Sequence, residues 1–490
     1  MITEDYATAL KKLIKFTKTK SYSLANFLGY DMSYISKWCT NAKLPSSRSM
    51  ERVNDMMGAY FADLILERQK LDDFCDTFSI PATAITLEPA ISNYLTQAYH
   101  TTSQLHTTTN HKGQPAVSIV SGTAKVEDFL SHLFQKTLHT ADRPQDFTIY
   151  GEFCQLYDAG FWDFFDALKK TKPCPHVTIR CGLDLSKLRD NAAYITALYT
   201  VLNRYLNIDF AFYDFSTSST NNLILCKDTF LVQFAILPGA GLSLCTYSDA
   251  PTVVQENYEA FTTALQNQKN LLSCEPTFYI KELGGRISFY DTNQFFFFLT
   301  NGFEYLLPHA VFESILRKVD DNTKEAVRRL CITWEEIINK AALTLLVPAS
   351  SLMRYIEQGY IDLSGIDYVL SPAERQEHIH TVLDIMKKNP RITLGTLSIA
   401  PPTAAFQNTN LAFYSNYKLG FFKKNPNFMN GPGNMFYLIH DDTLHHLILQ
   451  AFQQLQQLPQ YQQHDAVELS KQYEAYKPLI ERTLSLQAEG

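Results

Sequence analysis

Apolar side chains recur at helical spacing over residues 3–17, through Tyr6, Leu10, Leu13, Ile14 and Thr17. Thr3 stands where a helix N-cap belongs, with Glu4 and Asp5 in the first turn. A longer helical pattern covers residues 47–68 through Met50, Val53, Met56, Met57, Tyr60, Phe61, Leu64 and Ile65 and reads either as a packed helix or as a connector or dimer helix. Over 97–115 the periodicity gives way to Thr, His, Ser, Gln and Asn, the composition of a linker or an exposed loop. From residue 118 onward short apolar runs alternate with helical patterns. Phe147–Tyr150, Val177–Cys181, Ile208–Phe215 and Leu223–Cys226 read as strands, and residues 190–205 as a helix between two of them.

The second part of the chain matches itself. Phe147–Tyr150 has a counterpart in Leu343–Leu346, Ile208–Phe212 in Ile392–Thr396, and Asn222–Asp228 in Asn410–Asn416. A glycine turn follows in each half (Pro238–Gly241, Gly431–Gly433), then a helix carrying Ala-Phe at 260–261 and 451–452. The expected fold is a small α-helical head on a large α/β body of two pseudo-repeated lobes with mixed sheets. The divisions are a head with connector helix at 1–75, a linker at 76–117, a first lobe at 118–275, a hairpin-rich insertion at 276–335, a second lobe at 336–460 and a helical tail at 461–490. The cleft between the lobes is the place expected for a small ligand.

Charge changes this picture at one end only. Residues 1–52 carry nine Lys and Arg against four acids, so with a total of −7 the remainder carries −12. A basic head on an acidic body implies an anionic partner for the head. The nine cysteines are odd in number and scattered, with no CxxC, which disfavours a disulfide framework or a zinc ribbon and fits a reducing cytoplasm. The N-terminus has no apolar signal core, and the longest apolar run, Phe295–Leu299, is far too short to span a membrane.

Residues 21–41 carry the sharpest motif. Ala25 supplies the small side chain that two crossing helices need, and Gly29, four residues on, supplies a turn residue tolerant of positive φ. Ile35 packs the second helix back on the first, while Leu24, Leu28 and Trp38 complete the apolar face. Ser23 is placed to cap the first helix, and Asp31 or Ser33 the second. This stretch, with Pro45-Ser46 and the helix after it, resembles the Cro/repressor-type helix-turn-helix family over about residues 3–60. It departs at Cys39, where that family often has Glu. The resemblance implies a second helix that enters the major groove of duplex DNA, with Met32, Ser33, Tyr34, Ser36 and Lys37 near base edges and Ser21, Thr40, Asn41 and Lys43 near phosphates. It also implies binding as a dimer.

In the body, the repeated element order resembles the two-lobed phospholipase D superfamily, whose enzymes need His-x-Lys-x-x-x-x-Asp in their lobes. With Asp228 as the Asp, the His and Lys positions hold Asn221 and Leu223. With Asn416 there, they hold Thr409 and Leu411. The resemblance therefore implies a body without hydrolytic chemistry. The histidines at 100, 106 and 111 are irregularly spaced with no acid or Cys beside them, and in the His440, Asp441, Asp442, His445 and His446 cluster Asp441 and His445 share a face but acids at a helix start are favourable without a metal, so no metal and no cofactor is expected. Glu377, His378 and His380 read as a polar helix face. The expectation is a cytoplasmic, non-enzymatic, sequence-specific transcription regulator. Its body would sense a ligand or partner or drive homodimer or higher assembly, without a membrane. The alternatives are a protein–protein scaffold with a vestigial head and a DNA-targeted phosphodiesterase.

Overall fold

The N-terminal helices are α1 (Tyr6–Phe16), α2 (Ser21–Leu28), α3 (Met32–Trp38), α4 (Met50–Glu67), α5 (Leu71–Phe78) and α6 (Leu87–Thr109). They come from a computed structural model that describes all residues except 1–4, 41–42, 47–48, 110–116, 140–143, 172–173, 217–221, 238, 240, 276–288, 301–303, 305, 364–365, 430, 432 and 489–490. The chain divides into two units, Met1–Ala116 and Val117–Gly490.

In the first unit Asp5 caps α1 by accepting from the Thr8 N–H; Thr3 lies outside the described residues. No side chain caps α2, so the capping role expected of Ser23 is not there: Ser23 already lies inside the helix. The linker expected over 76–117 is instead largely a structural helix. Leu87, Ile91, Leu95, Ala98 and Tyr99 of α6 are buried in one core with Tyr6, Leu13, Leu24, Ile35, Trp38 and Phe61. The Tyr6 hydroxyl donates to Asn54 Oδ1 at 2.7 Å, Asn54 donates on to Thr96 Oγ1 at 3.1 Å, and the Tyr6 N–H donates to Thr102 Oγ1 at 2.6 Å. At Gly58 the α4 backbone comes so close to α6 that a Cβ would stand 2.8 Å from the Glu88 carbonyl oxygen.

The second unit opens with β1 (Val117–Ser121) and α7 (Thr123–His139). Then follow β2 (Gln145–Glu152), α8 (Phe153–Asp158), β3 (Val177–Leu183), α9 (Leu185–Asp190), α10 (Ala193–Arg204), β4 (Ile208–Asp214), β5 (Asn222–Cys226), β6 (Phe230–Leu237), β7 (Gly241–Ser248), α11 (Pro251–Gln266) and β8 (Asn270–Glu275). The second lobe has β9 (Gln294–Phe298), α12 (His309–Lys318), α13 (Asp321–Lys340), β10 (Ala342–Pro348), α14 (Ala349–Gln358), the hairpin β11 (Tyr360–Asp362) and β12 (Asp367–Val369), and α15 (Pro372–Lys388). It continues through β13 (Ile392–Leu397), β14 (Leu411–Ser415), β15 (Gly420–Lys424), β16 (Phe436–Ile439), α16 (Asp442–Gln454), β17 (Tyr461–His464) and α17 (Ala466–Ala488).

One mixed sheet runs β1-β7-β6-β5-β2-β3-β4-β8-β16-β15-β14-β9-β10-β13-β17. The repeat is written in this order. Strands β7-β6-β5-β2-β3-β4-β8 have the same chain sequence and the same parallel or antiparallel sense at every pairing as β16-β15-β14-β9-β10-β13-β17. The pairs β4/β13 and β5/β14 and the α11/α16 helices correspond as the sequence suggests; Gly239 lies between β6 and β7 with Gly241 at the start of β7, and Gly431 and Gly433 lie between β15 and β16. The first pair does not: Phe147–Tyr150 lies in β2, whose counterpart is β9, whereas Leu343–Leu346 lies in β10, the counterpart of β3.

Two further expectations are corrected here. The segment 276–335 is no hairpin-rich insertion in its described part. Strand β9 is central to the second lobe, parallel to β10 and antiparallel to β14, with Phe295 and Phe297 in one core and Phe296 and Phe298 in the other. The tail from 461 is not all helix, because β17 pairs with β13. The lobes meet along a paired strand edge. Strand β8 pairs with β16, and a single core joins Phe210 and Leu202 of the first lobe to Phe413 and Phe452 of the second. A buried ion pair crosses the same boundary: Lys424 Nζ lies 2.9 Å from Asp209 Oδ1, and Asn434 donates to the same carboxylate.

Candidate nucleic-acid interface

The α2–α3 hairpin is built by the residues that its sequence marked. Ala25 is buried at the helix crossing, and Gly29 closes α2 with φ 71° and ψ 29°. That left-handed conformation costs a side chain roughly 1–2 kcal/mol and glycine nothing. Asp31 caps α3 by accepting from the Ser33 N–H at 2.8 Å, and hydrogen bonding from Ser33 holds the Asp31 carboxyl below its ordinary range. Ile35 and Trp38 are buried, so the opposite face of α3 is turned outward.

That outward face carries the expected residues. Met32, Ser33, Tyr34, Ser36 and Lys37 are all exposed, as are Thr40 and Lys43, while Ser21 is half-buried at the start of α2. Asn41 lies outside the described residues. The Thr40 hydroxyl donates to the Ser36 and Lys37 carbonyls at 3.1 Å each, which ties the end of α3. Lys37 and Lys43 both stand over the Tyr34 ring, at 5.9 and 5.3 Å from its centroid. Such contacts are worth about 0.5–1 kcal/mol at exposed sites and leave the ammonium groups open to an anion. Sequence reasoning did not single out the exposed aromatic residues of α2. Tyr22 is 64% exposed and Phe27 47% exposed on α2, and their alternation with apolar core positions is the only trace they leave in the sequence.

In the body, the described residues weighed for chemistry go to separate places. Leu223, Thr409 and Leu411 are buried at the starts of the equivalent strands β5 and β14, and Asn221 lies outside the described residues. Asp228 and Asn416 occupy equivalent hairpin turns. There Asn416 accepts from the Lys418 and Leu419 N–H groups and donates to the Phe289 carbonyl. The histidine cluster is divided among separate partners: His440 bonds Ser273, Asp441 caps α16 and pairs with Lys269, and His445 bonds Ser415 at 2.9 Å. Among the described residues no group of three or more His, Cys, Asp or Glu could hold a metal. His378 is not on a polar face: it is buried and bonded to the Tyr355 hydroxyl. No helix of the described residues is long and apolar enough to cross a membrane.

No protein-family profile and no curated protein matches the sequence. Among solved structures, an archaeal chromatin protein, TrmBL2, described with a novel mode of DNA binding, aligns at 10% identity over 41% of this chain and 70% of that one, with a TM-score of 0.20. The phospholipase D family member Nuc from Salmonella typhimurium aligns at 10% identity over 32% of this chain and 98% of that one, TM-score 0.23. Phosphatidylserine synthase from Haemophilus influenzae aligns at 9% identity over 74% and 93%, TM-score 0.25. Similarities this low carry no inference about function, and the two-lobe repeat stands on the strand order alone.

Proposed function

We propose that the protein is a sequence-specific DNA-binding transcription regulator whose body biases DNA binding through a ligand. The observation that supports this reading is the outer face of α3, where Met32, Ser33, Tyr34, Ser36 and Lys37 all face outward beside Lys43. Helices of this length that present short polar and basic side chains fit a major groove. Ser33 and Lys37 would read base edges, Met32 would meet a thymine methyl, and Lys43 and Thr40 would hold phosphates. A dimer would present two such helices to paired half-sites. The body would work without hydrolysis, since the positions that carry a phosphodiesterase nucleophile and its lysine hold Leu223, Thr409, Leu411 and Asn221.

Fluorescence anisotropy of the full chain on selected duplexes tests the proposal. Affinity should fall steeply with salt, because Lys contacts to phosphate release counterions. Lys43→Ala should weaken binding to all sequences by about tenfold or less, whereas Ser33→Ala and Lys37→Ala should also change the preferred sequence. Absent or salt-insensitive binding overturns the reading. Phosphodiester hydrolysis that stays with the purified full chain and is lost in the Thr409→Ala form would overturn its non-enzymatic part.

A further inference from the structure

A cavity of the second lobe lies where the covering of the two lobes differs. In the first lobe, α9 and α10 are covered by α16, a helix of the second lobe. At the centre of that contact Tyr199 is fully buried against Phe452, Phe406 and Phe298, with ring centroids 5.3–6.1 Å away. The equivalent helices of the second lobe are α14 and α15. They are covered instead by α17, the helix that follows β17. Helices α10 and α15 end equally far before the equivalent strands β4 and β13, so Tyr199 corresponds to Leu383. Leu383 lines a cavity of about 640 Å³ between α14, α15 and α17.

We infer that this cavity is a binding site for an uncharged, ring-bearing small molecule, which takes the place that Phe452 and its neighbours fill in the first lobe. The volume lies in the range of ligand sites, which are mostly apolar with a few placed polar groups. Its walls are apolar side chains such as Leu352, Val382, Leu383 and Leu394, and the lining contains Glu357 and no Lys or Arg. A carboxylate or phosphate inside would lose its hydration with no cation to meet it, which excludes an anionic ligand. The buried Tyr355–His378 pair supplies the polar group of the wall. The mouth is marked by large apolar residues left in water: Tyr476 is 61%, Leu479 59% and Met353 50% exposed.

The inference rests on the ligand-sensing part of the proposed function, and its test separates the two. Titration of the full chain with the neutral fluorophore N-phenyl-1-naphthylamine should show saturable binding at one site per chain. Leu383→Trp, which fills the cavity, should weaken it at least tenfold, and Leu479→Arg, a surface change at the mouth, should weaken it severalfold without changing the melting temperature. Dodecanoate should compete poorly. Absence of saturable binding, insensitivity to both substitutions, stronger competition by the anion, or self-association of the chain that excludes the fluorophore would each overturn the site. Binding that responds to Leu383→Trp while DNA affinity is the same with and without fluorophore keeps the site and overturns the sensing role.

Discussion

Three residues show how far single positions carry this structure. At Gly29 a Cβ would meet nothing within 4 Å, so a substitution there acts through φ alone. Gly29→Val should therefore destabilise the first unit by about 1–2 kcal/mol and Gly29→Asn by much less, read by urea denaturation; equal costs would show that packing, not backbone conformation, selects glycine. Lys424 and Asp209 are both buried. Burial alone would push the Asp209 carboxyl up, but Lys424 and His176 outweigh it and hold it below the ordinary carboxylate range. Lys424→Met should cost about 2–4 kcal/mol, because it leaves the buried carboxylate with His176 and Asn434 but without its lysine, and Asp209→Asn added to it should recover part of the loss. His445 is buried with Ser415, and desolvation lowers its pKa to about 4. The folded state then refuses a proton that the unfolded chain accepts below about 6.5. Stability from this group is complete above pH 6.5 and declines as pH falls toward 4, by on the order of 2–3 kcal/mol in all. His445→Gln should flatten that segment of the stability–pH curve, and an unchanged slope would remove His445 as its source.

At the scale of elements, what the sequence showed depended on how local the determinant was. The α2–α3 hairpin was legible because each requirement, the small Ala25, the left-handed Gly29 and the inward Ile35, is met within eleven residues. The outward residues followed from that register. The repeat was legible in β4, β5 and their helices, but β2 was matched with β10. Parallel strands buried on both faces are uniform apolar runs whose order only the sheet reveals. The same uniformity hid β9, whose run of four phenylalanines serves two cores at once. Helix α6 was hidden by composition: its polar second half drew notice, while the stripe Leu87, Ile91, Leu95 and Ala98 that buries it lies earlier. That stripe has a consequence for the head. A fragment of residues 1–75 lacks α6, so Tyr6, Asn54 and Gly58 lose their partners. It should be largely unfolded by circular dichroism, whereas residues 1–112 should melt cooperatively; a stable 1–75 fragment would show that α6 is an accessory rather than part of the core.

At the scale of the whole body, the lobes are joined head to tail. The β8 edge of the first meets β16 of the second, and β16 is the counterpart of β7. A contact between unlike surfaces does not close on itself, so it leaves one complementary surface free at each end. The free surfaces here are the β7 edge and the side of the second lobe formed by β17, α14 and α15. Each is covered by an element outside the repeat: β1 pairs along β7, and α17 packs on α14 and α15. These two elements act as the terminal caps of repeat proteins do, stopping a series that the repeat itself would continue. Chains that end at His464 should therefore expose the apolar faces of α14 and α15 and gain mass with concentration in light scattering. Replacing Val117–Ser121 by a Gly-Ser stretch in the same chains should raise that association further, because both complementary surfaces are then open. If the doubly altered chain keeps the mass of the parent, the two elements do not cap the series, and the join between the lobes is specific to their one internal boundary.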